Sequence, residues 1–316
     1  MKLLFRFGLA ACALLAGSAA SAKEPPKVVV TIAPVHSLVA SVMRGVGEPK
    51  LLFTGAGSLH NYALKPSDSK ALKEADAVFW VGEGMETFMI KALKSLPKKA
   101  RVVELAEVPG VQLLAPRAGG VWEEDAHGHG HKNGKKKGHD HDEREMHIWL
   151  DPVNGEAIVR AVAGALAEID PERAAAYRAN EEKTLVRLKA LDADIKAELQ
   201  TVGKKPFIVF HDAYQYFENR YGLNAVGAIT VSPERKPSAK RLSEIRAKIQ
   251  SLKATCVFAE PQLDSALVAT VVEGTNAKTG VLDPEGARLP PGPDLYPTLL
   301  KNIAASLKAC LGSPTG

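Results

Sequence analysis

The chain has 316 residues, of which 46% are hydrophobic and 24% charged, at a mean hydropathy close to zero. It is too charged for an integral membrane protein and too rich in apolar runs for a disordered one. The formal charge of +5 is spread along the chain and leaves no footprint for nucleic acid.

Residues 1–22 read as a secretory leader. Met1 to Arg6 carries two basic residues, Phe7 to Ala16 is apolar, and Ala20-Ser21-Ala22 offers the small residues needed for cleavage after Ala22. The run is too short to stay in a bilayer as a spanning helix. Leu9-Ala10-Ala11-Cys12 also fits a lipoprotein cleavage box, but a cut there would leave almost no apolar core before it, so soluble export is preferred. Losing the leader leaves two cysteines, Cys256 and Cys310. An even count in an exported protein suggests a disulfide; two buried free thiols are the alternative.

Beyond the leader, β-branched runs alternate with helical patterns. Strands are predicted at 28–32, 50–53, 77–81 and 101–105, and helices at 35–44, 66–75 and 85–96. This βα alternation implies an α/β fold with mainly parallel sheets covered on both faces. Residues 123–145 break the pattern. The stretch holds five histidines, seven acids, five bases and no aliphatic core residue, so it is expected to be a mobile loop. A helix over 152–167 follows. Asp170, Pro171 and Glu172 then resemble the start of a longer one that meets no breaker until Gly203. Its apolar positions Ala176, Tyr177, Leu185, Leu188, Leu191, Ile195 and Leu199 recur at helical spacing. Strands resume at 207–210, 225–229, 256–259 and 280–282, with helices at 213–220, 238–252, 265–274 and 296–311. The expected organisation is a leader (1–22), a first βα lobe (23–169), a rigid linking helix (170–202) and a second βα lobe (203–316). Ligands in such sheets sit at the carboxyl ends of the strands, here facing the cleft between lobes.

Five of the nine histidines lie in the charged loop. Of the other four, His211 directly follows the strand Phe207 to Phe210, and Asp283 stands at the same sheet edge after Val281-Leu282. His60 lies in the connection after the second strand, and His147 sits where the loop re-enters structure. Neutral imidazoles with one carboxylate suit a borderline divalent ion such as zinc. His36 falls on the first helix among apolar neighbours and reads as structural.

Val-His36-Ser-Leu-Val, Ser-Leu-His60-Asn-Tyr-Ala-Leu-Lys-Pro-Ser-Asp, His147-Ile-Trp-Leu-Asp-Pro, Phe-His211-Asp-Ala-Tyr, Phe-Ala-Glu260-Pro-Gln and Leu-Asp283-Pro occur in that order. Together they resemble the metal-binding periplasmic proteins of ABC importers, in their ZnuA-like zinc branch. The resemblance implies two lobes bridged by a long helix, with Zn2+ bound as cargo between them by His60, His147 and His211. It also implies delivery to the importer's permease at the inner membrane, and the protein is expected to be a monomer. Manganese members of the family typically carry a carboxylate where this chain has His211, and a third imidazole favours zinc. Some zinc members have an acid just before the first ligand; here that position is Leu59. The fourth place then goes to Asp283, to water, or to both in turn. His127, His129, His131, His139 and His141 would form a weaker zinc-capturing or sensing device, the plainer alternative being a solvated linker.

A zinc hydrolase is the rival from another class, because three histidines and water also describe catalytic zinc. No His-Glu-x-x-His and no Gly-x-Ser-x-Gly occur, and Asp212 and Glu260 are explained by helix-start and strand-end roles. An adhesin on the same scaffold is disfavoured by the soluble leader.

Overall fold

Short β-branched runs build two four-stranded sheets in the computed structural model, which describes residues 23–54, 62–97, 99–117, 122, 144–230 and 237–312. The leader, Leu59, His60 and the five loop histidines lie outside the described residues. The first sheet has β1 (Val28–Val30), β2 (Lys50–Leu51), β3 (Ala77–Trp80) and β4 (Arg101–Glu104) in the order β2-β1-β3-β4. The second has β5 (Pro206–His211), β6 (Asn224–Thr230), β7 (Cys256–Ala259) and β8 (Lys278–Val281) in the order β6-β5-β7-β8. All pairings are parallel. Every residue of β1 and β3 is buried, as expected of parallel strands covered on both faces.

In the first lobe the helices are α1 (Ala33–Val42), α2 (Pro66–Glu74) and α3 (Met89–Leu93). Helix α3 is shorter than the pattern over 85–96 suggests. The Glu86 carboxylate accepts the Gly82 amide at 3.0 Å, closing a turn ahead of the helix, and Ser95 Oγ donates to the Ala92 carbonyl at 2.7 Å past its end. Helix α4 (Pro152–Ile169) is capped by Asp151, whose side chain accepts the Val153 amide, with Pro152 in its first turn. Helix α5 (Ala174–Leu199) has 26 residues and is about 39 Å long at about 1.5 Å per residue.

Asp170 does not cap α5. It ends α4, receives Arg173 Nη1 at 3.0 Å and the Tyr177 hydroxyl at 2.8 Å, and a 3-10 turn over Pro171–Arg173 intervenes. Tyr177, Leu185, Leu188, Leu191, Ile195 and Leu199 form the buried stripe of α5, whereas Ala176 is exposed. That stripe meets α1, α4 and α9 (Leu295–Leu311). A single apolar cluster therefore runs from Val30 and Leu38 through Leu188 and Ile195 to Phe207 and Leu307. Two smaller clusters lie apart from it, one around Val29, Leu72 and Val78, the other around Ile208, Ile245 and Val257.

The remaining helices are α6 (Gln215–Tyr221), α7 (Ala239–Ser251) and α8 (Ser265–Val272). Cys256 on β7 is bonded to Cys310 on α9, as the cysteine count suggested.

Candidate metal centre

In a parallel sheet, loops at the carboxyl edge diverge where strand order reverses and leave a crevice. In the second sheet that point lies between β5 and β7. Their register pairs Phe207 with Cys256 and Ile208 with Val257. Carried on along both strands, it sets His211, the last residue of β5, opposite Glu260. The contacts follow: Glu260 Oε1 lies 2.6 Å from His211 Nδ1 and accepts the His211 amide at 3.2 Å.

His147 reaches the same crevice from the first lobe by a different route. It precedes a 3-10 turn, Ile148–Leu150, whose three side chains are all buried. Trp149 Nε1 donates to the Pro284 carbonyl at 2.8 Å, and the Trp149 carbonyl accepts the Tyr296 hydroxyl at 2.7 Å. Tyr296 lies so close to α4 that a Cβ at Gly155 would come within 2.7 Å of its hydroxyl, so only glycine fits there. Glu145 buttresses His147, its Oε1 lying 2.5 Å from Nδ1 and 3.1 Å from the backbone amide that donates to it.

Each imidazole thus has Nδ1 engaged by a buried carboxylate, and the two Nε2 atoms face one another 3.4 Å apart. With Nδ1–H donating to its glutamate, each Nε2 presents a lone pair, and facing lone pairs call for a cation. Two nitrogens at about 2.05 Å from a tetrahedral zinc ion would stand about 3.3 Å apart. The spacing fits that ion, and carboxylates on the far ring nitrogens are the usual supports of metal-binding histidines.

The electrostatics are asymmetric. Burial, followed by the neighbouring His211 charge, lowers His147 to about 3. Burial also acts to lower His211, but the Glu260 charge and hydrogen bond outweigh it and the net shift is upward. Burial raises Glu145 to about 8 against the hydrogen bonds that it accepts. Burial and the charges of Glu260, Asp283 and Glu285 hold the Tyr214 phenol well above its ordinary range.

Asp283 stands on the same edge, one residue past Leu282. Its Oδ1 accepts the amides of Glu285 at 3.1 Å and Gly286 at 2.9 Å. Among the described residues it does not complete a three-donor cluster with the two histidines. His36 is the structural residue anticipated, buried on α1 with Nε2 2.9 Å from the Pro49 carbonyl.

Three acids were misjudged from sequence. Glu145, assigned to the mobile loop, is 7% exposed, pairs in a β-bridge with Leu114, and supports His147. Its one sequence signal is the spacing Glu145-Met146-His147. Glu260 is a histidine support rather than merely a strand end. Glu285, unremarked, has a buried Oε2 without a hydrogen-bond partner, and His211 is the largest charge acting on it.

Comparison with known proteins points the same way. The family model of ZnuA, the periplasmic component A of a zinc-uptake complex, matches residues 28–310. The high-affinity zinc uptake system protein ZnuA of Brucella abortus is 52% identical, over 95% of this chain and 97% of that protein. Its namesake in Paracoccus denitrificans is 38% identical over 92% and 93%. Among solved structures, a ZnuA crystal structure superposes with a TM-score of 0.75 at 23% identity, covering 91% of this chain and 99% of that one. The periplasmic zinc-binding protein TroA of Treponema pallidum gives 0.74 at 22%, covering 92% and 100%. These two likenesses concern the fold.

Proposed function

Because this chain belongs to the ZnuA family of periplasmic zinc-uptake components, we propose that it captures Zn2+ between its lobes through His60, His147 and His211. It is the zinc-binding component of an ABC importer. The leader is cut after Ala22, and the mature protein works as a monomer that hands zinc to the importer's permease and performs no catalysis. Asp283 or water takes the fourth position.

The facing Nε2 atoms, 3.4 Å apart with a carboxylate behind each ring, carry this reading. Glu145 and Glu260 hold the rings so that the metal meets lone pairs already aimed at it, which reduces the ordering cost of binding. The two described ligands come from different lobes, so zinc closes the cleft when it binds and leaves when the cleft parts.

Calorimetric zinc titration of the mature protein and of His60→Ala, His147→Ala and His211→Ala tests the assignment. If about 10 to 16 kcal/mol of binding is divided over four ligands, each supplies about 3 kcal/mol, a loss of a few hundredfold in affinity. Each variant is expected to lose that much while keeping its circular dichroism spectrum. Parental affinity in any variant removes that histidine from the site.

A further inference from the structure

Outside the imidazole pair, a buried polar network centres on Arg117. This residue lies ahead of the histidine-rich stretch, on a segment held to α4 of the first lobe by the Gln112 amide, which donates to Asn154 Oδ1 at 2.8 Å. Its guanidinium crosses to the second lobe. Nε donates to both Asp212 oxygens at 3.0 and 3.1 Å, Nη2 also donates to Asp212, and Nη1 and Nη2 reach the two Glu218 oxygens at 2.9 and 3.0 Å. The side chains of Arg117, Asp212 and Glu218 are only 16%, 10% and 7% exposed. Trp122 covers a face of the guanidinium, with Cζ 3.8 Å from the ring centroid.

Asp212 is the residue after His211, and Glu218 lies on α6. The same helix is stitched to both roots of the histidine-rich stretch. The Tyr216 hydroxyl accepts the Leu114 amide at 3.1 Å and donates to the Glu145 carbonyl at 2.7 Å, and Gln215 donates to the Ala115 carbonyl at 3.1 Å. The lobes therefore meet, beside the two imidazoles, through a desolvated cation shared by two carboxylates.

We propose that Arg117 is a positioning residue that latches the lobes together next to His211 and slows zinc release. The latch rests on zinc binding between the lobes. Parting them at this edge strips two buried carboxylates of their counter-charge, and loss of such pairing acts chiefly on dissociation. Lysine cannot reproduce the latch, since one ammonium lacks the fork that spans both acids.

Zinc release from the full mature protein into excess chelator, followed by stopped flow beside the association rate, is the test. Arg117→Ala is expected to release zinc about ten- to a hundredfold faster with association changed less than threefold. Arg117→Lys should fall between, and Glu218→Gln, which leaves the Asp212 fork intact, should give a smaller acceleration. Release within twofold of the parent in both Arg117→Ala and Glu218→Gln overturns the latch. So does an equal change in both rates, which marks general loosening. Should Arg117→Ala fail to fold, Arg117→Lys and Glu218→Gln decide alone. If His147→Ala and His211→Ala bind zinc as the parent does, it is the inter-lobe site that fails, whatever the latch variants show.

Discussion

The two lobes repeat one strand order, yet they position the two imidazoles of the candidate metal centre in opposite ways. The second lobe delivers His211 from the end of a six-residue strand and Glu260 from just past a neighbouring strand, so sheet register aligns imidazole and support. The first lobe delivers His147 after a long excursion from β4, and its support, Glu145, is only two residues away on the same segment. One half is held by long-range pairing and the other by local chain geometry plus the Trp149 and Tyr296 anchors. A register-held pair keeps its geometry as long as the sheet exists. A locally held pair depends on a few hydrogen bonds and shifts more easily, which makes the first-lobe half the natural one to yield when zinc is released.

The largest effect expected is on stability, and it tests whether the second lobe's rigidity rests on its covalent tie. The disulfide joins β7, which leads to Glu260, to α9 across a sequence separation of 54 residues. Loop-closure entropy for that length gives about 4 kcal/mol at best. Cys256→Ser with Cys310→Ser should melt at lower temperature yet bind zinc with nearly parental affinity, because Glu260 stands four positions beyond Cys256 and the sheet register still aligns it with His211. A marked loss of zinc affinity would mean that register alone does not hold the second-lobe half.

Next in size is the difference between the two supports. Removing a carboxylate behind a metal-bound histidine typically costs about ten- to a hundredfold in affinity. Glu260→Gln should fall low in that range, because the strand still aims His211. Glu145→Gln should fall high, because His147 lies on no strand and its ring and backbone amide both depend on that carboxylate. Competition with a chromophoric chelator measures both, and the reverse ranking would break the comparison.

The same contrast explains what could be read in the sequence. His211 was legible because it ends a run, Phe207-Ile208-Val209-Phe210, whose β-branched and aromatic residues mark a strand. Glu260 was visible as a residue but not as a partner, since 49 positions separate it from His211 and strand order is not written in local pattern. Glu145 was hidden by its company, a charged stretch that reads as solvated until Leu114 and Tyr216 are seen to enclose it. Arg117 gave no periodic signal, and its two acids lie 95 and 101 residues away. The helices were legible in placement, but α3 was overestimated because a competing side-chain bond from Glu86 is invisible to hydrophobic periodicity.

The halves also differ in how their groups are shifted. In the first, burial raises Glu145 to about 8 and lowers His147 to about 3. In the second, burial acts to lower His211 but Glu260 carries it above its ordinary value. A proton taken up by Glu145 or by His211 must leave when zinc binds, since a ligated imidazole needs its lone pair and its support needs its charge. Affinity should therefore decline as pH falls below about 8, at about tenfold per unit for each proton displaced, and steepen once His211 protonates. Calorimetry in buffers of differing ionisation enthalpy counts those protons. A count of zero at neutral pH would remove the asymmetry.

The smallest effect concerns the histidine-rich stretch, whose roots at Leu114, Ala115 and Glu145 are hydrogen-bonded to α6 beside the two imidazoles. A deletion of the whole charged run, 123–145, would take Glu145 with it and so damage the tight site for a reason unrelated to the loop histidines. Deleting 123–143 instead keeps Arg144, which donates to Glu107 at 2.7 Å, and Glu145, whose amide donates to the Leu114 carbonyl at 2.9 Å. That deletion removes His127, His129, His131, His139 and His141 together while leaving both imidazole supports and the Arg117 fork in place. From composition alone, imidazoles in a glycine- and charge-rich sequence carry a high entropic cost of sharing a metal, so their affinity is expected to be well below that of the His147–His211 pair. Zinc titration of the 123–143 deletion should thus lose the weak events and keep the tightest one within about twofold, the ordinary scatter of such comparisons. An unchanged number of bound ions would make the stretch a solvated linker. A tight site weakened as much as by Glu145→Gln would show that the first-lobe half draws on the stretch itself and not only on its two roots.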